Sequence, residues 1–135
     1  MKSTLGHLQV NIDSKNKGFY KDFLTFLGWK TLYEEPNMLG IEDEHHTSLW
    51  FTEPLKKEVN DYDGKGTNHY AFLVPGQKEV DNTVAYLKMK GIPALFETPR
   101  HRPEFSGKDG TYYQVMFETP DKLLFEVVYI GPKGK

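Results

Sequence analysis

The sequence contains no cysteine. That absence removes disulfides, zinc ribbons, thiolate redox chemistry and a cysteine nucleophile, and leaves histidine and carboxylate as the side chains able to hold a metal ion. An excess of one charge is missing too: 17 basic against 19 acidic side chains leave a net charge of −2. A field of that size gathers neither nucleic acid nor an anionic membrane surface, so neither is expected as a partner. No apolar run approaches the roughly 20 residues that a membrane-spanning helix needs. The opening stretch MKSTLGHLQVNID alternates apolar with polar residues where a secretory leader would be continuously apolar, and a cytoplasmic location is the expectation. Nucleotide-binding glycine motifs are absent as well, since Gly64 and Gly66 follow the polar stretch NDYD and open no helix. What is present is a chain of 135 residues, 38% apolar and 14% aromatic, enough to bury one core and too short for two ordinary domains.

Periodicity divides this chain into two similar halves. Residues 6–13 alternate strictly, with Leu8, Val10 and Ile12 on one face and His7, Gln9 and Asn11 on the other, which predicts a half-buried strand. From Ser14 the period becomes helical: Phe19, Tyr20, Phe23, Leu24 and Leu27 form one stripe, Asp13 or Ser14 stands where an N-cap belongs, and Gly28 ends the run. Short strands are predicted over 29–33, 38–41 and 48–52, separated by turn residues. A polar linker over 56–67 leads into the second half. There a strand is predicted over 68–74 and a helix over 78–90, with Val80, Val84 and Leu87 inward and Gly91 and Pro93 as the stop. Strands are predicted over 94–97, 112–118 and 123–130, and residues 98–111 as a long loop.

The halves repeat in register. His7 and His69 lie 62 residues apart, Gly28 and Gly91 63, and the pairs Tyr33-Glu34 and Phe96-Glu97 again 63. The expected fold is therefore α+β: one domain over 1–135 built from two βαβββ modules, 1–55 and 68–131. Pairing them gives a curved eight-stranded mixed sheet with helices outside and a concave metal or ligand cup inside. The modules can pair within one chain or exchange between two, so a homodimer stays among the expected assemblies.

Polar residues on the inner face need a reason to be there. With Leu8, Val10 and Ile12 against the helices, His7 faces the cup, and the repeat places His69 at the equivalent position. In LLFEVVY, Glu126 shares a face with Leu124 and Val128, and a lone carboxylate among apolar residues is costly to desolvate unless it is paired or binds a cation. Two imidazoles and a carboxylate with open positions suit a divalent ion: zinc, manganese, nickel, cobalt or iron. His7, His69 and Glu126 are read as a facial triad.

Taken in order, GHLQVNID, FYKDFLTFLGW, NHYAFLV and TYYQVMFETPDKLLFEVVY resemble the vicinal oxygen chelate superfamily, which includes glyoxalase I, fosfomycin-resistance proteins, extradiol dioxygenases and bleomycin-binding proteins. The likeness runs over nearly the whole chain. It implies metal ligands on the first, fourth, fifth and eighth strands, which map onto His7, the neighbourhood of Trp50, His69 and Glu126. Trp50 and Phe51 cannot bind metal, so the fourth position departs from the glyoxalase I pattern, and Glu53 replaces it only if Phe51 points inward. Three-ligand members of the superfamily keep a His, His, Glu set. Ring cleavage brings further histidines into the pocket, and none is evident here.

The resemblance thus implies a divalent-metal enzyme, a lyase, isomerase or relative, acting on a small oxygen-chelating substrate, with Glu126 also catalytic. Substrate contacts are expected from Trp50, from whichever of Tyr112 and Tyr113 points into the cup, and from Arg100 and Arg102. Those arginines lie with His101 and Lys108 in a basic stretch that would attract an anionic group, or else form a solvated connection. The EDEHH stretch, holding His45 and His46, reads as a solvated hairpin tip. The rival reading is a metal-free, bleomycin-type binding protein that uses the aromatic residues of the same cup.

Overall fold

Alternation in the first strand becomes burial in three dimensions. In the computed structural model, which describes residues 1–135, β1 (His7–Asn11) buries Val10 and leaves His7, Gln9 and Asn11 exposed, and Leu8 is exposed as well, against its expected place on the buried face. The chain divides into two compact units, Met1–Val59 and Asn60–Lys135.

In the first unit, β1 is followed by a 3₁₀ turn (Ser14–Asn16), helix α1 (Lys17–Phe26) and strands β2 (Lys30–Glu35), β3 (Met38–Glu42) and β4 (Ser48–Thr52). The strands form one sheet in the order β1-β4-β3-β2, with β1 parallel to β4 and the other pairs antiparallel. Helix α1 buries Tyr20, Phe23 and Leu24 completely, and Leu39, Ile41, Leu49 and Phe51 meet them from the sheet. The Tyr20 ring stacks on Phe51 at 4.5 Å between centroids. Each such side chain contributes about 1.5–3 kcal/mol on burial, and their alternation with Met38, Gly40, Ser48, Trp50 and Thr52 fixes which sheet face stays open. Phe51 thus packs against the helix. Glu53 is held by Ser14, whose backbone N–H reaches Oε1 at 3.0 Å and whose hydroxyl donates to the same oxygen. The helix starts later than its stripe suggests because Asp13 caps the 3₁₀ turn instead, accepting from the Lys15 N–H at 3.1 Å.

The second unit repeats the plan with β5 (Tyr70–Leu73), α2 (Gln77–Lys90), β6 (Leu95–His101), a 3₁₀ turn (Pro103–Phe105), β7 (Gly110–Glu118) and β8 (Leu124–Pro132). Its sheet order is β5-β8-β7-β6, with β5 parallel to β8. Phe72, Val115, Phe117, Phe125 and Val127 form its core with Val80 and Leu87 of α2. Thr83, rather than Val84, completes the buried helix face, and its hydroxyl donates to the Glu79 carbonyl at 2.9 Å.

The repeated glycines have the same local task. Gly28 at φ +93° and Gly91 at φ +71° both end a helix in the left-handed region, and the residue after each donates back into the last turn, Trp29 to Leu24 and Ile92 to Leu87, at 2.9 Å. The aromatic-Glu pairs do not share a conformation. Tyr33 and Glu34 continue β2, whereas Phe96 and Glu97 have φ of +56° and +60° inside a bulge of β6.

That bulge explains a second departure. Residues 98–101 continue β6 instead of starting a loop, with Arg100 opposite Gln114 and His101 opposite Tyr113. The break in alternation and Pro99 conceal the strand. Thr98 repairs the ladder with its side chain, since its hydroxyl oxygen accepts the Met116 N–H at 3.0 Å. The polar stretch before β5 is also tied down: Tyr62 donates to Glu118 Oε2 at 2.9 Å and the Asn60 amide to the Lys122 carbonyl at 2.8 Å.

Candidate metal and substrate site

In the second unit the sheet face turned away from α2 is organised around Glu126. Strand parity puts Glu126 beside Ala71 on β5 and Met116 on β7, with Leu124 and Val128 flanking it on β8. The turn at Pro120 and Asp121 sets this register, so Tyr112, Gln114 and Met116 share the face while Tyr113, Val115 and Phe117 turn to the helix. Glu126 is 1% exposed. Both its oxygens are engaged: the Tyr112 hydroxyl donates to Oε1 at 2.5 Å, and His69 Nε2 lies 3.0 Å from Oε2. Asn68 Oδ1 stands 2.8 Å from the other ring nitrogen of His69 and fixes the ring. Burial and then the hydrogen bond to Glu126 push the Tyr112 phenol well above its usual range, so it is a proton donor here.

The edge of the same face is basic. Arg102 is fixed by Glu104 Oε1 at 2.5 Å from Nε, by Gln114 Oε1 at 3.1 Å from Nη1, and by the Phe105 ring at 4.9 Å. Phe105 in turn meets the Tyr112 ring edge-on at 5.4 Å. Arg100 makes no such bonds; its ionic neighbour is Glu97, 3.8 Å away.

The first unit presents His7, Gln9 and Asn11 of β1 beside Ser48, Trp50 and Thr52 of β4. The Gln9 amide donates to the Thr52 hydroxyl oxygen at 3.3 Å, and that hydroxyl donates to Asn11 at 3.2 Å. Trp50 lies flat over Gly40, where a Cβ would come within 2.5 Å of the indole carbons. Its N–H donates to Ser48 Oγ at 3.0 Å. Tyr33 stands 6.1 Å from the indole.

The donor chemistry of the second unit fits a divalent ion. Adjacent ligands at bond lengths of about 2.1 Å and near-right angles stand about 3 Å apart, and His69 Nε2 and Glu126 Oε2 are separated by 3.0 Å. No group of three or more His, Asp or Glu side chains placed to hold a metal ion is present. The second unit contributes the pair His69 and Glu126.

A model of the Glyoxalase/Bleomycin resistance protein/Dioxygenase superfamily matches residues 4–127. The chain belongs to this superfamily. A glyoxalase candidate from Bacillus halodurans has a structure similar to this one, with a TM-score of 0.79 and 24% identity over 95% of this chain and 96% of that one. Lactoylglutathione lyase from Agrobacterium tumefaciens gives a TM-score of 0.67 at 17% identity, covering 96% of this chain and 95% of its own. The oxidase ChaP-H2 gives 0.68 at 18%, covering 100% and 98%. These likenesses establish a glyoxalase-like α+β fold, on which both a lyase and an oxidase are found. A search of curated proteins found no match.

Within this superfamily member the sequence-predicted residues separate cleanly. His69, Glu126, Tyr112, Arg100 and Arg102 share the open face of the second unit, and His7 and Trp50 share that of the first. Tyr113 points the other way: its hydroxyl donates to Asp81 of α2 at 2.6 Å, and burial followed by that bond raises its phenol to about 12. His101 also turns to the helix side, against Thr111 and 4.6 Å from the Tyr113 ring. Lys108 is exposed. In the EDEHH turn, Asp43 accepts the N–H groups of His45 and Thr47 at 2.9 and 3.0 Å, and both histidines stay exposed. Sequence reasoning missed the tie between Tyr112 and Glu126. Counting parity outward from the Pro120-Asp121 turn finds it, because Glu126 then opposes Met116 and Tyr112 falls on the same face.

Proposed function

We propose that this chain is a divalent-metal-dependent enzyme, a lyase, isomerase or related catalyst, acting on a small oxygen-chelating molecule. The observation supporting this reading is the fully buried Glu126 carboxylate on an otherwise apolar strand face, with His69 Nε2 3.0 Å from its Oε2. A carboxylate in that position is costly for the fold and useful to a cation. His69 and Glu126 would hold the ion, with His7 as the third ligand; zinc, manganese, nickel, cobalt and iron all suit this set. When bound, the ion supplies Lewis-acid stabilisation of an enolate or alkoxide on the substrate. Tyr112 orients Glu126 through Oε1 and keeps a proton at its own hydroxyl, while Asn68 holds the imidazole so that Nε2 stays directed at the site. Glu126 would also be the catalytic group, its carboxylate taking or returning a proton of the substrate. Trp50 would line the substrate.

The reading uses a small-molecule substrate, in a monomer or homodimer, and involves neither nucleic acid nor membrane. No helix is long and apolar enough to cross a membrane, and a chain free of cysteine suits a cytoplasmic setting. A second reading, metal-free capture of an aromatic molecule, draws on Trp50 and Tyr33 on the open face of the first unit. Thermal melting with added manganese, cobalt, nickel or zinc separates the two. The proposal expects the wild type to gain several degrees and His69→Ala and Glu126→Gln to lose that response. Identical, metal-insensitive melting of all three proteins would favour the binding protein.

A further inference from the structure

We propose that Arg100 takes an oxyanion of the substrate, a carboxylate or phosphonate, on the sheet face that carries His69 and Glu126. This rests on the reading of that face as the reactive one and adds the substrate's charge class to it.

Two arginines stand on the face, and only Arg102 is held by side-chain hydrogen bonds; Arg100 meets the carboxylates of Glu97 and Glu104 through charge alone. Arg102 spends Nε on Glu104 and Nη1 on Gln114 and lies over Phe105, so it is a fixed wall with 22% of its side chain exposed. Arg100 accepts no such arrangement. Its ionic neighbour is Glu97, 3.8 Å from Nη1, beyond hydrogen-bond distance and on a side chain 91% exposed. Its Nε is buried without an acceptor. Burial of Nε means that the stem is packed and that the guanidinium meets the outside through its Nη pair. An Nη pair presented end-on matches the two oxygens of a carboxylate, or two of a phosphonate, in a way that a lysine cannot.

Position completes the case. Arg100 opposes Gln114 on β7, and Gln114 opposes Val128 on β8, two residues from Glu126. Two strand spacings across the sheet and two residues along β8 therefore separate the arginine from the carboxylate, roughly 12 Å between backbone positions. A small molecule with chelating oxygens at one end and an anionic group at the other spans that interval.

Calorimetric titration of malonate and of methylphosphonate into chelator-treated protein tests the proposal without any metal. The wild type is expected to bind at least one of them, and the tighter of the two identifies the group as planar or tetrahedral. Arg100→Gln should weaken that binding by roughly tenfold to a hundredfold, the scale of a lost charge-assisted pair. Arg100→Lys, which keeps the charge and loses the fork, should fall between, and Lys108→Ala should match the wild type. Failure of the wild type to bind either anion at millimolar concentration, equal binding by Arg100→Gln, or an equal loss in Lys108→Ala would overturn the assignment. Should Arg100→Gln melt early, Arg100→Lys decides, with wild-type affinity counting against the fork. Cobalt uptake measured alongside keeps the two readings apart, since it should persist in Arg100→Gln, while His69→Ala should lose cobalt and keep the anion.

Discussion

Replacing Glu126 with leucine separates what the fold needs from what the site needs. The change deletes two hydrogen bonds to a charged acceptor, from Tyr112 at 2.5 Å and His69 at 3.0 Å. Bonds of that kind contribute about 1.5–3 kcal/mol each. Against this stands the desolvation of a carboxylate that is 1% exposed, a penalty of several kcal/mol for a buried ion. Leucine also adds apolar contact with Leu124, Val128 and Met116, its neighbours on the face. The freed partners do not become buried orphans, because His69 is 36% exposed and Tyr112 is half-buried, so water can satisfy both. The terms nearly cancel, and the metal-free stability of Glu126→Leu should lie within about 1.5 kcal/mol of the wild type, on either side. Urea denaturation in the presence of a chelator measures this, with an unchanged m-value showing that the same surface is exposed. A loss above about 3 kcal/mol at constant m would make the carboxylate a structural necessity and remove the main reason for assigning it to a cation.

Three further outcomes follow from named contacts. Gly40→Ala would put a Cβ 2.5 Å from the Trp50 ring; displacement of the indole should cost about 1–3 kcal/mol and shift the Trp50 fluorescence, and an unmoved spectrum would contradict the packing. Gly91→Ala meets no atom within 4 Å, so only the left-handed φ of +71° resists it, and melting should report a loss of about 1 kcal/mol. Tyr113, raised to about 12 when folded from 10.0, stabilises the protein fully below its unfolded value and loses that contribution as pH rises through the folded one. The wild type should therefore lose denaturant resistance between about pH 10 and about pH 12 more steeply than Tyr113→Phe, and parallel curves would refute the raised phenol of Tyr113.

Elements with clean periodicity were legible in the sequence. The stripe of α1 and the two helix-ending glycines reappear as expected because a single local cause, burial parity or a left-handed cap, determines each, whereas in β1 Val10 is buried and Leu8 is not. The continuation of β6 was hidden by its bulge, where Thr98 supplies from its side chain a bond that the backbone would normally make. On the site, Glu126 was visible as a charge in an apolar strand. Tyr112 and Tyr113 could not be told apart until the β7–β8 register was known, since neighbouring strand residues face opposite ways. The contrast between an Arg102 held by hydrogen bonds and an Arg100 met through charge alone depends on where Glu104, Gln114 and Phe105 fall around β6, which no spacing rule encodes.

In the proposed enzyme one divalent ion would be held by His69 and Glu126, with His7 as the third ligand. Elemental analysis of protein purified without a metal-affinity tag, followed by calorimetric titration of manganese, cobalt, nickel and zinc into the chelator-treated protein, tests it most directly. Expected are one ion per chain in the wild type and a loss of at least roughly tenfold in affinity for each of His7→Ala, His69→Ala and Glu126→Gln. A wild type that takes up none of these ions, or a His69→Ala protein that binds as the wild type does, would contradict it.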